Sequence, residues 1–148
     1  MVGSWLVLLT LMLVPPVQAQ SDAWVRIEVP EGHAILGFRP QLKPYTGDEG
    51  PRVGSHFHDR QPTDKKGRVI SGVGYYGWEA EGNIHVVVLI LVPDANAENR
   101  FYPDSEDRRL HYEEWSRLVL KRGEVRQAEE LSALYGGRVV TVRVGMAN

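Results

Sequence analysis

The run I-H-V-V-V-L-I-L-V, residues 84–92, is apolar on both of its faces beyond His85. Its nine residues fall well short of the roughly 20 that a helix needs to cross a hydrocarbon layer. A short, β-branched run of this kind reads as a strand buried on both sides, so the rest of the chain must supply a cover for each face. Residues 68–79 precede it as a partner strand, and Glu81-Gly82 or Gly82-Asn83 suits a two-residue hairpin turn between them. Such a turn puts Gly72, Gly74, Tyr76 and Trp78 on one face with His85, Val87 and Leu89, whereas a three-residue turn exchanges the faces. In the first register Gly72 and Gly74 leave a flat groove for a helix carrying Trp115 to lie in.

The partner strand contains G-x-G-x-x-G, from Gly72 to Gly77. A dinucleotide fingerprint needs a helix after its last glycine, because the helix amino terminus holds the pyrophosphate. Here Trp78, Glu79 and a turn into a strand follow, and the next strand lacks the lysine of a kinase loop. The glycines are therefore read as strand glycines that admit close packing.

Around this hairpin the pattern changes twice. Residues 23–29 alternate, with Val25, Ile27 and Val29 on one face and Trp24, Arg26 and Glu28 on the other, as in a half-buried strand. Residues 33–38 form a second short apolar run. From 40 to 67, four prolines and four glycines describe a loop long enough to be functional. In the last third, Leu110, Trp115, Leu118 and Val119 form a stripe that predicts a helix over 104–122, with Gly123 after it, although residues 117–121 would also serve as a strand. Val125, Ala128, Leu131, Leu134 and Tyr135 predict a second helix ended by Gly136-Gly137, and residues 138–144 a last strand. The order ββββααβ predicts an α+β fold: a mostly antiparallel sheet of about five strands with a pair of helices packed on one face.

Residues 1–19 carry an apolar run from Leu6 to Val14, then Pro15-Pro16 and Val17-Gln18-Ala19, the pattern of a signal peptide. The expectation is a single exported domain over 20–148, secreted or periplasmic, with no stable membrane span once the leader is removed. The chain has no cysteine, which excludes thiol catalysis and disulfide scaffolds. A formal charge of −2 gives no reason to expect nucleic acid as a partner.

For chemistry, Ser55 to Arg60 reads S-H-F-H-D-R; in an extended chain His56 and His58 point to one side and can grip one metal ion, with Asp59 as an oxygen ligand. Asp64 is the alternative oxygen donor, and His85 or His111 a distant third nitrogen. Residues 50–58 resemble the first half of a cupin metal motif, which would imply two histidine ligands in a small β-barrel. The glutamate of that motif and its second half are absent from this chain, and the family is not assigned. No serine lies in G-x-S-x-G, and Glu79, Glu81, Glu113 and Glu114 form no specific catalytic pattern. Aromatic residues in or beside loops, above all Tyr75, Tyr76, Phe101 and Tyr102, mark a contact surface. The reading that follows is an interaction module of the cell envelope, without cofactor, whose partner is an envelope protein or a small ligand. The alternative is a protein holding a divalent transition metal at His56 and His58.

Overall fold

A computed structural model describes residues 20–30, 34–57, 61–94 and 109–146 of the chain. Among them, strands form two antiparallel sheets of four. The first has the order β2-β1-β8-β7, from β1 (Ala23–Val29), β2 (Ala34–Phe38), β7 (Val125–Gln127) and β8 (Thr141–Met146). The second has the order β3-β4-β5-β6, from β3 (Val53–His56), β4 (Gly72–Ala80), β5 (Asn83–Pro93) and β6 (Leu110–Lys121). One helical turn, α1 (Glu129–Ser132), continues as a 3-10 turn over Ala133–Tyr135.

The sheets face one another because each presents one apolar side. Val25, Ile27 and Val29 of β1 point inward with Val142 and Val144 of β8, while Trp24 and Arg26 stay exposed. They meet Val73 and Tyr75 of β4, Ile84, Val86, Val88, Ile90 and Val92 of β5, and Leu118 and Leu120 of β6. Burial of this apolar surface is the main favourable term in the fold. At one end Ala128, Leu131, Leu134 and Tyr135 close the layer, and the Tyr75 and Tyr135 hydroxyls hydrogen-bond at 2.7 Å. That pairing satisfies two polar atoms that burial would otherwise leave costly.

The hairpin β4–β5 follows the two-residue register. Ala80 stands opposite Asn83, and the intervening Glu81 and Gly82 have φ of 54° and 79°, the left-handed pair of a type I′ turn. Trp78 therefore faces His85, Tyr76 faces Val87 and Gly74 faces Leu89 on the outer side of the sheet.

The α+β expectation is overturned: the described residues are mostly β, with two sheets instead of one and, among them, a single short helical segment instead of a helix pair. Of the segment expected to be a helix over 104–122, residues 109–122 are described, and Leu110–Lys121 of these form strand β6. Its pairing with β5 shifts between Val88 and Leu89, which face Ser116 and Glu114, so Trp115 is an extra residue in a bulge. A bulge breaks a period of two. Leu110, Trp115, Leu118 and Val119 thus come to be spaced like a helical stripe although the backbone is extended. The second expected helix splits into β7 and the seven residues of α1 and its 3-10 turn. Among the described residues no helix lies over Gly72 and Gly74; a Cβ on Gly74 would meet the Pro51 ring at 2.5 Å, so that proline occupies the groove.

Candidate functional site

The outer side of the second sheet is covered by residues 41–52, and this cover builds the site. Gln41 locks to β4: its N–H donates to the Gly77 carbonyl at 2.8 Å, and its own carbonyl accepts from Glu79 N–H at 2.9 Å. The chain then runs over the sheet. The Tyr76 hydroxyl donates to the Lys43 carbonyl at 2.8 Å, and the Tyr45 ring lies 5.5 Å from the Tyr76 ring. Arg117 of β6 stands over the Tyr45 ring, 5.9 Å from its centroid. Glu49 ties the loop together by accepting from the Thr46 N–H and hydroxyl, which holds its carboxyl below the ordinary range. Arg52 N–H donates to the Tyr75 carbonyl at 2.8 Å and returns the chain to β4.

A second, smaller apolar cluster results, made of Tyr76, Trp78, Val87 and Leu89 with Tyr45 packed against it. Trp78 also stacks on His85, 4.8 Å between ring centroids and 7° from parallel. Burial raises the Tyr76 and Tyr45 hydroxyl pKa values, so both remain protonated donors.

Beside this cluster the loop leaves a pocket of about 480 Å³, a size suited to a small ligand. Gln41 and Tyr76 form its floor, and Lys43, Glu49 and Arg52 its charged rim. Gln41 is only 4% exposed, yet its side-chain Nε2 has no hydrogen-bond partner. A buried amide donor left unpaired costs about 1–3 kcal/mol. Neither Lys43 nor Arg52 places its side chain in a hydrogen bond or ion pair among the described residues, and Glu49 is turned toward Thr46. The pocket thus carries two cations outside any ion pair beside Tyr76, with the unpaired Gln41 donor buried beneath its surface.

The residues singled out in the sequence fall in different places. Tyr75 and Tyr76 lie on opposite faces of β4; Tyr75 is fully enclosed between the sheets, whereas Tyr76 lines the pocket. Phe101 and Tyr102 lie outside the described residues, as do His58 and Asp59. His56 ends β3 with its residue exposed. His85 is stacked on Trp78, and His111 sits between the Asp94 and Glu113 carboxylates. His56 faces Gly72, Gly72 faces Leu91 and Leu91 faces Tyr112, so three strand spacings, about 14 Å, separate His56 from the His111 end of β6. Among the described residues no group of three or more His, Asp or Glu could hold a metal ion. Gln41, Lys43 and Arg52 carry no motif; only the composition of the whole 40–67 segment pointed toward them.

A second polar cluster is fully paired and reads as structural. Arg68 grips Glu113 through two hydrogen bonds of 2.8 Å and reaches Asp64 with its Nε. Arg68 first, with His111 assisting, holds the Glu113 carboxyl down to about 2 from its ordinary 4.5. A depressed carboxyl pKa contributes stability that is fully present above 4.5 and lost as pH falls through about 2. The Arg68→Met variant is expected to lose this contribution in full at neutral pH, with the difference from the native protein shrinking as pH falls through about 2, so that it is less stable at neutral pH and its acid-unfolding midpoint moves to higher pH. Circular dichroism across an acid titration checks this; coincident curves would show that the pair contributes nothing.

Comparison with protein-family models, with curated proteins and with solved structures found no match.

Proposed function

We propose that this protein acts by binding, as an exported module of the cell envelope, and that the Gln41 pocket takes a small ligand bearing a carboxylate or phosphate group. The observation that carries this is the orphaned Nε2 of Gln41, buried within a residue that lines a roomy pocket. Buried donors are nearly always paired, and the exceptions mark function or an absent partner. An oxyanion would accept from Nε2 once the Gln41 side chain turns its amide into the pocket, while Arg52 and Lys43 neutralise its charge and Tyr76 packs against its apolar part. Export is supported by the leader pattern of residues 1–19 and the lack of cysteine.

The test uses Gln41→Met, which keeps the side-chain volume but removes the donor. The native protein should melt higher in succinate, benzoate or inorganic phosphate; saturation at a hundredfold excess over Kd corresponds to about 2.7 kcal/mol. The Gln41→Met variant should lose that response and, free of ligand, be more stable than the native protein by about 1 kcal/mol. No response of the native protein to any of these anions would overturn the anion reading, and a clearly destabilised variant would show that Nε2 is structurally satisfied. The metal alternative is read in the same assay. A zinc-induced rise in melting temperature that vanishes in His56→Ala/His58→Ala would favour it.

A further inference from the structure

Strand β6 ends the second sheet, and its outer edge has a built-in two-fold pattern. The direction of its backbone groups follows from bonds they make. Asp94 N–H donates to the Arg109 carbonyl, which places residues 109, 111 and 113 toward β5 and leaves Leu110, Tyr112 and Glu114 pointing outward. Beyond the Trp115 bulge the parity reverses. The Val119 carbonyl accepts from Arg126 and the Lys121 N–H donates to Glu124, so Arg117, Val119 and Lys121 point outward there. Among the described residues no backbone group pairs with the edge at Leu110, Tyr112, Glu114 or Arg117.

We propose that two copies of this chain pair antiparallel through β6, about a two-fold axis between Trp115 and Ser116. In that register Glu114 faces Arg117 of the second copy and Tyr112 faces its Val119. All four positions are outward in backbone and lie on the outer side of the sheet; Glu114 and Arg117 have open edge groups, while pairing at Val119 exchanges the Arg126 guanidinium on its carbonyl for the Tyr112 amide of the second copy. Without the bulge, this odd-numbered offset would bring outward groups against inward ones. Tyr112 and Val119 are 41% and 46% exposed, large apolar groups without a cover, and the pairing sets them together on either side of the charges. Edge charges ordinarily discourage such pairing. Charges of one sign do so by repulsion, but Glu114 and Arg117 are of opposite sign and exchange places under the two-fold axis. In the free chain they pair with each other through two exposed hydrogen bonds of 2.9 and 2.8 Å, and Arg117 also lies over Tyr45; the second copy replaces these contacts with equivalent ones, so the pair sets register more than affinity.

The experiment is sedimentation velocity on the native protein, Arg117→Glu, Glu114→Arg and an equimolar mixture of the two variants. The native protein should show a reversible dimer as concentration rises. Each variant alone places like charges opposite one another and should dimerise more weakly by roughly tenfold or more. The mixture restores two opposite-charge pairs across the axis, and should dimerise like the native protein. Both positions are exposed, so each variant is expected to fold, with circular dichroism as the check. Hydrogen exchange on the native protein gives a reading free of mutation: the Tyr112, Glu114 and Arg117 amides should become slower with concentration. A monomer at every concentration, a mixture that does not associate, or edge amides insensitive to concentration would each overturn the proposal.

Discussion

Replacing Gly77 by valine is expected to lower stability by about 3 kcal/mol, the upper part of the usual range for overpacking a core. A Cβ at this position would stand 2.7 Å from Phe38 Cε2 and 3.2 Å from the His85 carbonyl oxygen. Neither neighbour gives way readily. Phe38 is 5% exposed and stacked on Tyr75, and the His85 carbonyl belongs to the backbone of central strand β5. Gly77→Ala should cost less, since only the Cβ must be accommodated, and Phe38→Leu should recover part of the loss in the valine variant. Gly145→Ala is the control, because no atom lies within 4 Å of its Cβ position and its φ is not left-handed. Urea unfolding of the four variants measures this. A native-like midpoint for Gly77→Val would show that the sheets are not in contact through Phe38.

Leu131→Ala should cost about 2–5 kcal/mol, the range for emptying a buried leucine site. Leu131 is fully buried, and α1 spans only Glu129–Ser132 with no side-chain cap at its start. A helix of one turn has no stability of its own, so tertiary packing holds it entirely. The variant should therefore loosen more than one side chain. Tyr135, whose hydroxyl bonds to Tyr75 and whose ring meets Phe57 edge-on at 5.7 Å, stands on the same segment. Amides of the 129–135 segment should exchange faster than those of β5, alongside the fall in unfolding midpoint. Equal protection in both segments would show that the turn is held by something other than Leu131.

These two sites mark what could and could not be read before the fold was known. Strand β1 was legible because one face is buried and the other wet, so burial and sequence share a period of two. The β4–β5 hairpin was legible because φ > 0 at Gly82 and a two-sided apolar strand leave distinctive residues. Strand β6 was not. Its bulge inserts one residue in the middle of the alternation, and the resulting spacing imitates a helix. The division into two sheets was also hidden, since β1 pairs with β8 at the opposite end of the chain, a contact that no local window contains. At the candidate site the 40–67 segment stood out by its prolines and glycines, yet Gln41 did not; a glutamine in a loop is ordinarily solvated.

What the sequence determined by itself is local: which segments extend, where the chain turns, that β5 must be covered on both faces, and that no thiol chemistry is available. Only the tertiary structure decided what those covers are. One is a second sheet assembled from both ends of the chain. The other is the 41–52 segment, which seals Tyr76 and Trp78 from water and in doing so buries an amide without a partner. The physical reason is that periodicity records whether a side chain meets water. It does not record which distant segment excludes that water, and here the identity of that segment creates both the pocket and its unpaired donor.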